Sequence, residues 1–308
     1  MTRAVVFAYA AVGARCLGVL YDSGVAVPLV YTHADDPAET RWFASVAELA
    51  RAQGSAVVTD ASLSQPQAAQ DIAAVAPDFI FSFYYRRMIP AALLALAKRG
   101  ALNMHGSLLP KYRGRAPVNW AVLNGETETG ASLHYMVEKP DAGPIVDQER
   151  VPIGPDDTAG EVALRVTEAA ATVLRRSLPG LIAGTAPARP MDLSRGSYFG
   201  GRRPADGEFR WTWPAARIHN LVRAVAPPFP GAFAQLAGRT VKVERTRRLP
   251  GPGSGLGTGP SVAVAGDTIV AVCGDRERLE LADVFCDGVR LTPRSFRILF
   301  GPDPVPAH

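Results

Sequence analysis

Cysteine is scarce in this chain: Cys16, Cys273 and Cys286 are the whole supply in 308 residues. An odd count without metal-ligand spacing argues against a disulfide framework or a cysteine-held metal, and predicts reduced thiols in a cytoplasmic protein. No run approaches the ~20 apolar residues that span a bilayer. The opening Met1-Thr2-Arg3-Ala4-Val5-Val6-Phe7 enters a strand without the layout of a signal peptide, so a soluble protein is expected. Neither sign of charge dominates, with 33 Lys and Arg against 29 Asp and Glu, a formal +4. That mild excess helps attract a diphosphate or a carboxylate tail but is weak evidence for nucleic acid.

A dinucleotide fingerprint is also missing. Ala8-Tyr9-Ala10-Ala11-Val12-Gly13 follows the first strand with a single glycine, and Gly251 to Pro260 is glycine-rich but contains prolines and opens no helix. The first implies no NAD, and the second reads as a flexible hairpin loop.

What is present is enough apolar content, 47%, for one large core and a smaller second one. Apolar runs at Ala4 to Tyr9, Val25 to Tyr31, Ala56 to Thr59, Phe79 to Phe83 and Ala101 to His105 read as buried strands, with helical candidates such as Ser45 to Gln53 and Pro66 to Ala76 between them. This alternation predicts an α/β domain whose parallel sheet is covered on both faces. Thr158 and Glu161 form a capping box that opens a helix expected to reach about Leu178, where Pro179 intervenes.

Gly184 to Pro190, rich in Gly, Pro and Ala, reads as a linker, and the pattern then changes. Beyond it come a short helical candidate, Ala215 to Val225, and strand-like runs at Ala232 to Leu236, Thr240 to Thr246, Ser261 to Ala265, Thr268 to Cys273, Leu279 to Phe285 and Gly288 to Thr292, a pattern suited to a small β-barrel. The division expected is a catalytic domain over 1–189, a linker over 190–207 and a C-terminal domain over 208–308.

The chemistry concentrates in Leu102-Asn103-Met104-His105-Gly106-Ser107-Leu108-Leu109-Pro110-Lys111-Tyr112-Arg113-Gly114. Strand alternation puts Asn103 and His105 on one face, at a strand end where open α/β sheets bind ligands. An Asn can donate to a developing oxyanion and a His can move a proton, a pairing suited to acyl transfer when the substrate brings its own nucleophile.

This run resembles the signature of the folate-dependent formyltransferases, and Asp141-Ala142-Gly143-Pro144-Ile145 resembles the place where that family keeps its essential Asp. Phe81 to Arg86, Gly114 to Trp120 and Asn124 to Gly130 further resemble its members that act on UDP-4-amino-4-deoxy-L-arabinose in lipid A modification, associated with polymyxin and cationic-peptide resistance. The likeness runs from the first strand to about residue 235. It implies a Rossmann-like, mostly parallel sheet followed by an OB-like barrel domain, and a formyl group passing from 10-formyltetrahydrofolate to a sugar amine without a metal.

In the implied mechanism His105 removes the amine proton and later protonates the folate nitrogen. Asn103 stabilises the oxyanion, and Asp141 raises the His105 pKa and orients the ring. The resemblance carries the folate site onto Arg87, Met88 and Ile89, onto Arg115, and onto Val137, Glu138, Lys139, Pro140 and Asp141. Arg87 and Arg115 have ordinary surface arginines as their alternative. For the nucleotide sugar the candidates are Ser107, or the backbone amides after it, and the pair Arg202 and Arg203, whose guanidinium forks suit a diphosphate. A basic linker surface is the alternative for that pair.

Methionyl-tRNA formyltransferase shares the motif and the layout, but its tRNA-binding loop after the second strand is basic. Here Thr32 to Arg41 holds three acids and one Arg, a poor match to phosphates. A binder that kept the fold and lost the reaction is the remaining alternative. No decarboxylating dehydrogenase domain is read in this chain, so any such partner activity is expected on a separate chain. Oligomeric state is left open.

Overall fold

The computed structural model describes residues 1–34, 42–60, 62–251, 259–301 and 304–307. Most of the acidic segment 32–41 and of the glycine-rich run 251–260 therefore lies outside the described residues. The chain forms two compact units that are not consecutive in sequence. Met1–Pro117, Glu128–Pro152 and Ala163–Gly200 make the first; Val118–Thr127, Ile153–Val162 and Gly201–His308 make the second.

In the first unit β1 (Arg3–Ala8), α1 (Ala10–Asp22), β2 (Ala26–Thr32), α2 (Val46–Ala52), β3 (Ala56–Thr59), α3 (Pro66–Val75), β4 (Phe79–Phe83), α4 (Ala91–Leu94) and β5 (Ala101–His105) follow in turn. After them come β6 (Arg113–Gly114), the hairpin of β7 (Glu128–Tyr135) and β8 (Ile145–Pro152), and β9 (Tyr198–Phe199); α5 (Pro117–Leu123) falls in the second unit from Val118 on, and α6 (Ala159–Ala183) enters the first at Ala163. The large sheet has the order β3-β2-β1-β4-β5-β7-β8. Its first five strands are parallel, and β7 and β8 add antiparallel strands beyond β5.

Central strands are apolar on both faces because helices cover both sides. Every residue of Phe79-Ile80-Phe81-Ser82-Phe83 is buried, as are five of the six in β1. Helix boundaries follow local chemistry. Ser45 caps α2 by accepting from Glu48 N at 3.3 Å, and Pro66 occupies the first turn of α3, where no partner for its missing N–H is needed. One expectation is corrected: α6 does not stop before Pro179 but continues to Ala183. A proline removes one helical hydrogen bond at a cost of ~3 kcal/mol. Buried Leu174, Leu178 and Leu181 along the same helix offset that loss by packing.

The second unit holds α7 (Ala215–Val225), β10 (Ala232–Leu236), β11 (Arg239–Leu249), β12 (Ser261–Ala265), β13 (Thr268–Val272), β14 (Arg278–Cys286), β15 (Val289–Arg290), α8 (Pro293–Phe300) and β16 (Val305–Pro306). Its antiparallel sheet, in the order β10-β11-β14-β13-β12-β16 with β15 paired to β14, curls into a half-barrel. Segment 153–162 joins this unit through two buried side chains of α7. Arg223 Nη1 donates to Gly154 O and Asp157 O, both at 3.1 Å, while His219 Nε2 donates to Pro155 O at 2.9 Å and its Nδ1 meets Thr246 Oγ1 at 2.8 Å. The stretch 190–207, expected as a linker, carries short structure at Leu193–Arg195, Tyr198–Phe199 and Pro204–Gly207. Among the described residues no helix is long and apolar enough to cross a membrane.

The capping box is formed as expected: Thr158 N donates to Glu161 Oε2 at 2.7 Å, and Glu161 N donates to Thr158 Oγ1 at 3.2 Å. Thr158→Ala is therefore expected to lower stability by ~1 kcal/mol, read as a lower urea midpoint at unchanged slope. An unchanged midpoint would show the box to be redundant.

Candidate active site

β5 ends at His105, and Asn103 and His105 project to the same side of the sheet. The connection between β7 and β8 folds back so that Asp141 reaches both of them: Asn103 Nδ2 donates to Asp141 Oδ1 at 3.3 Å, and His105 Nδ1 lies 3.6 Å from the same oxygen. The other carboxylate oxygen accepts the backbone N–H of Gly114 at 2.9 Å. The three residues chosen from the motif thus meet at one carboxylate, all within the first unit.

A fourth residue, His134, was not anticipated. On β7 it stands directly opposite Asn103, with its Nε2 3.2 Å from Asn103 Nδ2 and 3.4 Å from Asp141 Oδ1. These three atoms form a nearly equilateral triangle, narrower at the amide nitrogen than the ~120° between its two N–H bonds. Both acceptors therefore lie within reach of the one amide nitrogen. A signal was available in the sequence, since Ser132 and His134 alternate on one face as Asn103 and His105 do. It gains meaning only once β7 is known to pair with β5.

The loop from Gly106 to Gly114 is built to hold these groups. His105 Nε2 donates to Tyr112 O at 2.7 Å, which fixes the ring. Gly114 has φ +97°, and a Cβ there would collide with the Phe199 carbonyl across the β6–β9 pair, so the donor to Asp141 requires glycine. Tyr84, Tyr112 and Asp141 all adopt left-handed φ values of 57°, 57° and 50°. Strain of this kind persists only where surrounding contacts enforce it, and these three instances lie in loops next to the site, with others elsewhere in the chain.

The family profile described as "Formyl transferase" matches residues 13–178, and that described as "Formyl transferase, C-terminal domain" matches residues 202–296. The chain belongs to the formyl transferase family. This formyltransferase is also similar in fold to solved sugar N-formyltransferases. One is the N-formyltransferase from Helicobacter canadensis, solved with folinic acid and dTDP-3-aminofucose: 18% identity, 91% of this chain and 99% of that one, TM-score 0.71. The second is WlaRD, a sugar 3N-formyl transferase solved with dTDP and 5-N-formyl-THF: 17% identity, coverage 91% and 97%, TM-score 0.70. The third is the sugar N-formyltransferase from Shewanella sp. FDAARGOS_354: 18% identity, coverage 82% and 100%, TM-score 0.65.

The remaining expected site residues of the formyltransferase fall in different settings. Arg87 and Met88 lie exposed in the loop after β4, where Arg87 reaches Asp60, while Ile89 is buried in the core beside Leu93 and Ile72. Val137, Glu138 and Lys139 are exposed on the β7–β8 connection, Pro140 is half-buried, and Arg115 is exposed. Ser107 is fully buried, and its hydroxyl donates to Lys111 O at 2.7 Å, closing the loop. Arg202 and Arg203 belong to the second unit. Arg202 stands 4.9 Å from the Trp120 ring centroid and donates to Asp206 O at 2.9 Å; Arg203 is exposed. Among the described residues no His, Cys, Asp and Glu cluster could hold a metal.

Electrostatics corrects one expectation. Burial is the largest influence on His105 and pushes its pKa down; Asp141 and the Tyr112 bond push it up but do not prevail, so the net direction is lower, not higher. For Asp141, burial raises the pKa, yet His105, His134 and the Gly114 N–H together hold the carboxyl well below its ordinary range. A carboxyl depressed on folding contributes stability above its unfolded pKa of ~4, and that contribution is lost as pH falls. The depressed His105 acts in the same sense below its unfolded value of ~6.5. Asp141→Asn is thus expected to cost ~1–3 kcal/mol at neutral pH and to flatten the acid-side decline in stability, measured by unfolding at stepped pH. An acid-side decline as steep as the parent's would show that the carboxylate contributes nothing there.

Proposed function

We propose that the chain transfers a formyl group from 10-formyltetrahydrofolate to the 4-amine of UDP-4-amino-4-deoxy-L-arabinose, serving lipid A modification and resistance to polymyxin and cationic peptides. The convergence of Asn103, His105 and Asp141 at the end of β5 carries this reading. The donor is supported by the folates named with the Helicobacter enzyme and WlaRD, and a nucleotide-linked acceptor by the dTDP ligands named with them. Exposed Met88 and Val137 offer apolar surface in the two loops assigned to the folate ring.

In this reaction His105 is neutral at working pH, in the state that accepts a proton from the attacking amine. The amide of Asn103 donates to the oxyanion, a contact whose loss typically costs ~10²–10³ in rate. Arg202 supports binding of an anionic acceptor, since its Nε is buried without a hydrogen-bond partner among the described residues. The dTDP ligands of the similar structures favour a second reading, another nucleotide-linked amino sugar as acceptor.

Assay of the purified protein with 10-formyltetrahydrofolate against UDP-4-amino-4-deoxy-L-arabinose, dTDP-linked amino sugars and initiator methionyl-tRNA tests the proposal, with the UDP sugar expected to have the highest kcat/KM. Formylation of the tRNA alone would overturn it. His105→Ala and Asn103→Ala are each expected to lower kcat by at least ~10²-fold with little change in substrate binding. Near-normal turnover in a variant that melts like the parent would remove that residue from the mechanism. Replacing Arg202 and Arg203 together with Ala is expected to raise KM for the acceptor well above any rise for the folate. An equal rise for both would place the diphosphate elsewhere.

A further inference from the structure

His134 has no part in the reaction just described, yet it is 1% exposed and faces the groups that carry it. Its Nδ1 lies 2.9 Å from Tyr135 O, and because a carbonyl only accepts, that nitrogen carries a hydrogen. In the neutral ring Nε2 is then a lone pair turned toward Asn103 and Asp141. His105 repeats the arrangement, with Nε2–H tied to Tyr112 O and the Nδ1 lone pair turned toward the same Asp141 oxygen. Two imidazole lone pairs and a carboxylate oxygen converge, with the Asn103 amide nitrogen the donor beside them. Such a gathering of acceptors in a buried place is unfavourable until a proton enters it.

We propose that His134 is a positioning residue that gives the site a second resting place for the one proton the reaction displaces, shared with His105 around Oδ1 of Asp141. The inference rests on the formyl-transfer reading. As the amine lone pair forms the new C–N bond, the carbonyl π pair moves onto the formyl oxygen, and the proton on the attacking nitrogen passes into the cluster. On collapse the oxygen's pair restores the carbonyl, the bond to the folate N10 breaks, and N10 takes the proton back.

A proton on His134 has a second consequence. Nε2–H then donates to Asp141 and no longer accepts from Asn103, so the amide is held through Asp141 alone and can turn toward the oxyanion. Proton uptake and oxyanion stabilisation become linked through one ring. Among the described residues the titratable groups facing that ring are His105 from β5 and Asp141 from the β7–β8 connection.

His134→Gln retains an amide that can hydrogen-bond Asp141 but cannot take up the proton. It is expected to lower kcat ~10-fold or more, with smaller changes in either KM and a displaced acidic limb of the pH–rate profile. His134→Asn serves the same comparison if the Gln variant melts below the parent. Nitrogen chemical shifts of the parent's histidines, followed as pH falls, test the cluster without turnover: coupled proton uptake by His134 Nε2 and His105 Nδ1 is expected. A Gln variant with parental kcat and pH profile, or a titration in which His105 alone takes the proton, would overturn the inference. Absence of formyl transfer in the parent would instead overturn the activity reading, and the titration would still decide the cluster.

Discussion

The carboxylate of Asp141 is the group on which the rest of the site depends. It is buried, it sits on a residue with left-handed backbone, and its pKa is held low by His105, His134 and the Gly114 N–H, which reach it from three separate strands. β5 supplies Asn103 and His105, β7 supplies His134, and β6 supplies the Gly114 N–H. A buried negative charge without those partners would take up a proton and cease to orient anything. Pairing of β5 with β7 is thus as much a part of the cluster as the motif itself.

The same burial that concentrates the field also sets the limits of His105. A ring left in water would titrate near 6.5, and a carboxylate alone would lift it. Enclosure outweighs that lift here, so the pKa of the ring moves down, which favours the neutral form. Tyr112 O holds one nitrogen and leaves the other facing the carboxylate, so orientation is decided by a backbone carbonyl seven residues away. Donors and acceptors placed in advance need no reorganisation when charge develops.

Much of this was legible because it is local. The strands over 56–59, 79–83 and 101–105 and the helix over 215–225 stand where apolar patterning put them, and the capping box of α6 forms as read. Patterning and capping involve neighbours within a turn or a strand, which a sequence displays directly. Pro179 misled because its local cost is outweighed by packing along the whole of α6. The Ser107 hydroxyl closes its own loop, and Ile89 joins the core beside Leu93 and Ile72, contacts that spacing along the chain does not display.

By itself the sequence determined the strands over 56–59, 79–83 and 101–105, the helix over 215–225 and the absence of a membrane-length apolar run, since each depends on composition or on patterning among near neighbours, and it marked Asn103, His105 and Asp141 as candidates through a resemblance. Only the tertiary structure decided that His134 stands against Asn103, that Gly114 donates to Asp141, and that burial prevails over charge at His105. Those outcomes depend on strand register, on the close approach of β6 to β9, and on how much water is excluded. Each of these is a property of segments brought together from distant parts of the chain.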